Sequence, residues 1–542
     1  MTKSTGKQEI LNDLKRRVDD KILEQSNYDL LRKLVENAES LDEAIKIAEL
    51  GTTYKRTGFH FDKRLEKQSN TISYFKKNDA LSFVSDPKAL THKLIIGDNY
   101  PALLNLLIEY KGSIDVIYID PPYSKDSMGE FARTNYDNAL TRDNLLSMLY
   151  PRLRLAKQLL SESGVIFCSI DDRNQAYVKG LFDEVFGESN FVGNIVWHKK
   201  DNASFLSKEI VNLTEYILFY KKSNNFTGTK DRFIDSSKHR ELITKPSKIG
   251  ERIFDKNNTI VENGNFSGQL KSGKYGSEMF NMEILEDVEI LNGIPKTNIK
   301  IKGRFCWTQK TIDDEIKEGG RIEIKVIKGM KPVFYKNFGD DVPYRPMLDL
   351  LSKKIEDDIA TNNDAAVEIK EIFGSPVFEY SKPSKLINKL IRTIVRDNPN
   401  AIILDFFAGS GTTGQAVLEL NAERKTAEGG LQFILVTNNE VTNITPNGIA
   451  LDVTSKRLKR VMTGTCYDGS SDFTWNEKNR PLGGNLEVLD MAEVANSEAV
   501  KGKTPFDVID ETLYGQKKFK TIKQKVEWVC DHFEGTQKKL EE

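Results

Sequence analysis

Apolar residues fall along this chain in two rhythms. Over residues 8–50 they recur at three- and four-residue steps, as in ILNDLKRRVDDKILEQ, which predicts amphipathic helices. Ser40 followed by Glu43 at the head of SLDEAIKIAEL predicts a capping box, in which the serine oxygen takes the N–H three residues on. Residues 70–92 are polar and connecting. From residue 93 short apolar runs alternate with helical stretches: KLIIG (93–97), YPALLNLLIEY (100–110), VIYID (116–120), LTRDNLLSMLYPRLRLAKQLL, GVIFCSID (164–171) and NIVWHK (194–199). Pro151 must kink or split the long helix among these. The alternation resumes with the helix KPSKLINKLIRTIV (382–395), where Pro383 suits the first helical position. A strand, Gly-rich turn and helix follow in AIILDFFAGSGTTGQAVLELN, then the strand LQFILVTNNE (431–440). Such alternation predicts an α/β fold with a mainly parallel sheet.

Residues 199–345 break the pattern. They hold 27 Lys+Arg against 21 Asp+Glu, a net of +6, and are rich in Asn, Gly and short strand-like pieces such as RIEIKVIK. With a whole-chain net charge of −1 over 542 residues, the remainder carries −7. The insert therefore reads as a separate, mildly basic unit. The near-neutral total excludes a wholly basic histone-like binder and an acidic disordered tail. Cys168, Cys306, Cys466 and Cys530 form no C-x-x-C, which argues against a disulfide scaffold or Cys-rich zinc site and fits a reducing cytosol. No apolar run approaches the roughly 18–20 residues of a membrane span, and MTKSTGKQEI lacks a signal-peptide core. A cytoplasmic chain is expected. The five histidines show no H-x-x-H or H-E-x-x-H spacing, so a catalytic metal is not indicated.

Two turns carry chemistry. Gly409-Ser410-Gly411-Thr412-Thr413-Gly414 follows the strand IILD and opens a helix. It spells G-x-G-x-x-G and admits several readings. A P-loop would need a lysine where Gln415 stands. A dinucleotide site is compatible with acidic Glu440 after the next strand. S-adenosyl-L-methionine also lies over the carboxyl ends of parallel strands at such a turn, and a tight structural turn needs fewer glycines. The second turn is Asp120-Pro121-Pro122-Tyr123, ending the strand VIYID. Two prolines hold φ near about −65° and remove two backbone donors. What remains is a rigid set of acceptors, the Asp120 carboxylate and the Pro121 carbonyl, beside the Tyr123 ring. This suits a neutral exocyclic amine with two N–H groups to place, and Tyr123 can stack on its base.

DPPY together with DFFAGSGTTG resembles the amino-methyltransferases of DNA. The order of target-amine turn, basic insert and cofactor turn resembles their circularly permuted beta group. Longer stretches, from GDNYPALLNLLIEYKGSIDVIYIDPPY through RFCWTQKTIDDEIKEGGRIEIK to ILDFFAGSGTTGQAVLELN, resemble the modification subunit of type III restriction-modification systems over roughly residues 50–465. The resemblance implies a permuted S-adenosylmethionine-dependent methyltransferase fold with a seven-stranded sheet and an inserted target-recognition domain. Its expected parts are an N-terminal helical region (1–51), a first catalytic half (52–198), the recognition domain (199–345), a second catalytic half (346–465) and a C-terminal region (466–542). It implies methyl transfer to N6 of adenine in duplex DNA, with base flipping because a stacked adenine cannot reach such a site. N4-cytosine methylation and a non-catalytic recognition subunit are the alternatives. It further implies a homodimer and a separate restriction subunit with helicase and nuclease functions.

The resemblance also assigns residues. Asp120, Pro121, Pro122 and Tyr123 form the catalytic turn. Asp98, Lys382, Asp405, Phe407, Gly409, Ser410, Gly411, Thr412 and Glu440 form the cofactor site, with Asp405 at the methionine amine, Asp98 near the adenine and Lys382 at the carboxylate. No cysteine follows a proline, so a cytosine-C5 nucleophile is not indicated; Cys168 reads as core. Phe406 and Trp197 also read as core, and Asp171-Asp172 as a solvated turn.

Overall fold

The computed structural model describes residues 3–19, 23, 25–51, 71–123, 142–201, 210–233, 240–243, 248–275, 282–326, 331–335, 344–424, 430–495 and 504–534. The start of the LTRDNLL helix, the end of RIEIKVIK and the boundary at residue 52 lie outside them. Helices α1 (Lys3–Asp19), α2 (Gln25–Asn37) and α3 (Leu41–Gly51) pack around Leu14, Leu31, Val35 and Ala44. Ser40 Oγ accepts the Glu43 N–H at 3.0 Å, as the capping pattern predicts, while Glu43 Oε2 takes the N–H of Glu39 at 2.6 Å.

The main body is a ten-stranded sheet. In chain order its elements are β1 (Thr71–Lys77), β2 (Thr91–Ile96), α4 (Asn99–Tyr110), β3 (Ile114–Ile119), α5 (Arg142–Leu159), β4 (Leu160–Ile170), α6 (Asp172–Phe186), β5 (Phe191–His198) and β6 (Thr214–Lys221). After the insert come β7 (Leu350–Leu351), α7 (Asn362–Phe373), α8 (Ser384–Val395), β8 (Ile402–Asp405), α9 (Thr412–Arg424), β9 (Gln432–Thr437), α10 (Ser455–Thr463), β10 (Asn485–Ala495) and α11 (Ile522–Val529). The spatial order is β1-β10-β2-β9-β8-β3-β4-β6-β5-β7. The seven strands from β2 to β5 are parallel except β6, which runs antiparallel to both β4 and β5. This is the expected α/β methyltransferase-type sheet, with β1 and β10 added at one edge and β7 at the other. Pro151 sits inside α5 without splitting it.

Central strands are apolar throughout because helices cover both faces. On one face Leu103, Leu149, Leu153, Val178 and Phe182 of α4, α5 and α6 pack on the sheet. On the other, Ile387, Leu390, Val417 and Leu458 of α8, α9 and α10 do so. The C-terminal α11 adds Trp528 and Val529 to the first face.

Two boundaries move. The stretch TEYILFYK, placed by its position in the insert, is β6 of the main sheet, and β10 within the C-terminal region pairs with β1 and β2. Their alternating and apolar residues are strand signals, but charge counting over a window cannot assign a strand to a sheet. The insert proper leaves and re-enters through Arg232–Phe233 and Tyr344–Arg345, which pair antiparallel. It has small sheets of its own, the helix Gln309–Lys317, and a separate core around Phe254, Ile299, Ile301, Ile322 and Phe334.

Where the insert joins the body, Lys389 of α8 is fully buried and meets Asp231 at 2.6 Å, Glu356 at 3.2 Å and Asp358 at 3.3 Å. Removing one partner of a buried ion cluster strands the others in a medium that solvates them poorly. Lys389→Met should therefore cost about 3–5 kcal/mol of stability, read as a lowered urea midpoint. An unchanged midpoint would mean that these Lys389 contacts do not hold the root of the insert.

Candidate functional site

The site forms where two neighbouring parallel strands end. β3 and β8 are in register at Val116–Ile403 and Ile117–Leu404, so Asp405 and the Asp120 turn leave the sheet at one edge, one strand apart. This is the edge at which open α/β sheets hold ligands.

After β8 the chain turns sharply over Gly409 (φ 48°) and Gly411 (φ 81°), a backbone region that side chains disfavour. A Cβ on Gly414 would lie 2.7 Å from Leu458 and 3.0 Å from Leu435, so this glycine lets α9 sit close to α10 and β9. Thr454 Oγ1 donates to the Gly409 carbonyl at 2.5 Å and fixes the turn from outside. Asp405 is 2% exposed. One of its oxygens accepts the Phe407 N–H at 2.9 Å, the other the Thr413 hydroxyl at 2.5 Å. Burial pushes its carboxyl up to about 7, against the pull of those two donors. No Lys, Arg or His is paired with it among the described residues. Phe406 is buried, as expected, and Phe407 is half-buried beside it with ring centroids 5.2 Å apart.

The Asp-Pro-Pro-Tyr turn is folded on itself. Tyr123 donates its hydroxyl to Asp120 Oδ1 at 3.0 Å. Lys382, assigned by resemblance to the cofactor's methionine carboxylate, reaches into this turn. Its ammonium lies 3.0 Å from Asp120 Oδ2, 3.2 Å from the Tyr123 hydroxyl and 3.2 Å from Glu215 Oε2. Burial raises the Asp120 carboxyl, Lys382 lowers it and Glu215 raises it again, with a net upward shift. Burial would raise Glu215 as well, but Lys382 and Lys199, the latter at 2.9 Å, outweigh it and hold that carboxyl below its usual value. Lys382 itself, desolvated yet flanked by two carboxylates, is held above the ordinary lysine value. The result is a compact cluster in which one ammonium bridges two carboxylates, holding Glu215 below its usual value and opposing the upward push of burial on Asp120. It presents acceptors to any small N–H donor that enters.

The other expected residues spread along the same edge. Asp98 is exposed and caps α4, accepting the Tyr100 N–H at 2.7 Å, and pairs with Arg152 at 3.1 Å. Its neighbour Asn99 donates to the Phe406 carbonyl at 2.8 Å, tying this turn to the Gly-rich one. Glu440 is half-buried three residues beyond β9, and its carbonyl accepts the Ile449 N–H at 2.9 Å. Ser410 and Thr412 are buried, 3.0 Å apart. Trp197 is core, donating its indole N–H to the Ala360 carbonyl at 2.9 Å, yet its ring lies 5.9 Å from the Lys382 ammonium. Cys168 is buried mid-strand. Asp171 is not solvated; it caps α6 through the Asn174 N–H at 3.1 Å.

Sequence reasoning missed Glu215, Ser381 and Arg457. Glu215 is an acid at a mostly apolar strand's start (TEYILFYK), a signal that becomes legible once β6 is known to lie beside β4.

A family model described as a DNA methylase matches residues 114–442, more than half of the chain, from β3 through the Gly-rich turn. The chain belongs to this DNA methylase family. A second model, of an uncharacterised conserved protein, matches residues 7–116. Among curated relatives, the chain is similar to the Mod subunit of the type III restriction-modification enzyme StyLTI of Salmonella typhimurium, 30% identical over 68% of this chain and 57% of that protein. It is similar to the EcoPI Mod subunit of Escherichia phage P1, at 29% identity over 68% of this chain and 62% of that protein. The type II methyltransferase M.KpnI of Klebsiella pneumoniae is 28% identical over 70% of this chain and 88% of that protein. The methylase chain thus spans about three-fifths of the length of the first two relatives.

A carboxyl raised on folding favours the protonated native state. Asp405, with a folded value near 7 against an ordinary 3.8, should therefore subtract stability as pH climbs from about 4 to about 7, with no further change above. The urea-derived stability of the natural protein relative to Asp405→Asn should fall over that range by up to about 1.4 kcal/mol per pH unit. A pH-independent difference would show that Asp405 is ionised throughout.

Proposed function

We propose that this chain transfers the methyl group of S-adenosyl-L-methionine to N6 of adenine in duplex DNA, as the cytoplasmic modification subunit of a type III restriction-modification system. The single observation that carries this reading is the pairing of β3 with β8, which brings an Asp-Pro-Pro-Tyr turn beside a Gly-rich turn at one sheet edge. The relatives' names, as Mod subunits of type III enzymes, support the system and a separate restriction subunit as partner. Dimerisation belongs to the same reading.

The residues fit the cofactor. Asp405 is a buried carboxyl with no cationic partner among the described residues, and the cofactor's ammonium supplies one. Gly409 and Gly411 leave room for close approach of a ligand to the backbone. Phe407 offers an apolar wall, and Asp98 and Glu440 stand at the outer end for the adenosine. When bound, S-adenosylmethionine brings a methyl group made electrophilic by its sulfonium.

The chain's own residues then align the nucleophile. Asp120 and the Pro121 carbonyl accept the two N–H bonds of the exocyclic amine, which draws its lone pair out of conjugation and aims it at the methyl. The Lys382 ammonium counters the effect of burial on Asp120 and gives up one acceptor as the amine arrives. Tyr123, released from Asp120, stacks on the flipped base. Alignment and fixed charge supply the catalysis, with no covalent enzyme intermediate. The basic insert reads the DNA sequence, its lysines and arginines meeting phosphates.

The test is transfer from labelled S-adenosylmethionine to mixed-sequence duplex DNA, followed by digestion and nucleoside analysis. N6-methyladenine is expected. N4-methylcytosine would overturn the base assignment, and no transfer would overturn the activity. Asp120→Ala should lower kcat by roughly 10²–10³-fold with cofactor affinity little changed; full activity in that variant would remove Asp120 from its role.

A further inference from the structure

Behind the Gly-rich turn lies a guanidinium that no step above uses. Arg457, on α10, is fully buried. Its Nε donates to Gln415 Oε1 at 2.9 Å, and its Nη2 faces Glu368 at 3.3 Å. These two contacts fix the plane of the group. The remaining nitrogen, Nη1, points at three hydroxyls: Thr412 Oγ1 at 2.8 Å, Ser410 Oγ at 3.1 Å and Ser381 Oγ at 3.3 Å.

The three hydroxyls form a triangle with sides of 2.9, 3.0 and 3.0 Å. They come from two segments far apart in sequence. Ser410 and Thr412 open α9, whereas Ser381 precedes Lys382 and the start of α8. A guanidinium only donates. Hydroxyls bonded to it must turn lone pairs toward it, so their own hydrogens can face the other way. The starts of α8 and α9 add the positive ends of two helix dipoles at this point. Within the cluster those hydrogens can be shared around the triangle, and Ser381 can donate to the Lys382 carbonyl at 3.2 Å; an anionic group at this point would draw them outward, toward donors backed by a buried cation.

We propose that Arg457 is a positioning residue: acting through Ser381, Ser410 and Thr412, it sets the donors that hold the carboxylate end of the cofactor, and locks the Ser381–Lys382 segment to the Gly-rich turn. The inference rests on the cofactor reading above. It also explains why Lys382 is free to serve Asp120. The carboxylate is met by neutral hydroxyls with a buried cation behind them, so the lysine beside Ser381 is not needed there.

The discriminating measurement is calorimetric binding of two ligands to the full chain, S-adenosylmethionine and its decarboxylated form, which keeps the sulfonium and the amine but lacks the carboxylate. The natural protein should prefer the intact cofactor. Arg457→Gln should weaken the intact cofactor by roughly 10–100-fold and the decarboxylated one far less, erasing the preference, and Arg457→Lys should restore part of it. Ser381→Ala, a smaller change in case Arg457→Gln does not fold, should reduce the same preference in the same direction. Equal loss of both ligands in these variants would make Arg457 a merely structural residue, and no loss would give it no part in binding. A natural protein that binds neither ligand would overturn the cofactor reading itself, an outcome distinct from those two.

Discussion

The pairing of β3 with β8 is the contact on which the site depends. The two strands are separated in sequence by the basic insert, yet they run parallel and in register, and both end at the same edge. Side chains alternate along a strand with a period of two, so a slip of one residue would send Asp405 to the opposite face. Register is held by burial. Val116, Ile117, Ile403 and Leu404 are fully buried between helices on both faces, and any slip would set each against the wrong helix and spoil the packing on both sides. The chemistry at the edge is therefore specified by packing several residues below it. Asn99, bonded to the Phe406 carbonyl, and Thr454, bonded to the Gly409 carbonyl, extend the same constraint upward into the turns.

Electrostatics divides this edge into two unlike halves. Around Asp120 the carboxylates have a cation: Lys382 bridges Asp120 and Glu215, and Lys199 supports Glu215 from the other side. Around Asp405 there is none among the described residues, and burial raises the carboxyl toward neutrality. A buried charge is tolerated when paired and otherwise titrates away. The first half is thus complete within the chain, whereas the second is complete only with a bound cation. That asymmetry is what the proposed chemistry asks for, since one turn must handle a neutral amine and the other a ligand that carries its own ammonium.

What is legible in the sequence is local. Gly409, Gly411 and Gly414 announce a tight turn because few other residues tolerate its backbone, and Pro121-Pro122 announces a rigid one, so the residues alone place both motifs at strand ends. The alternating apolar runs reveal the layer architecture for the same reason. What is not legible depends on who sits beside whom. TEYILFYK has the aromatic and apolar residues of a strand but carries no mark saying that it pairs with β4 and β5, and so Glu215 could not be placed beside Asp120. Arg457 in SKRLKRV looks like one more charge on a basic helix. Its face is buried only because Gly414 lets α9 approach α10. Lys382 reads as a helix-start residue, whereas its long side chain reaches to Asp120, and reach is set by tertiary neighbours.

The insert raises a different physical problem. A unit with its own core, joined by only two short antiparallel strands, can swing unless its root is clamped. The root here is clamped by charge. Asp231 lies just before the outgoing strand and Glu356 and Asp358 beyond the returning one, and the buried Lys389 of α8 holds all three. α8 is also the helix that begins at Ser384, immediately after Ser381-Lys382. One rigid helix therefore connects the root of the insert at its middle to Lys382 and the Asp120 turn at its start. On the proposed reading the insert contacts DNA and the site methylates it, so the two must keep a fixed separation. A helix with a rise of about 1.5 Å per residue is a stiff way to hold that distance, provided that neither end is loose. The ion cluster at one end and the hydroxyl triangle at the other meet that condition.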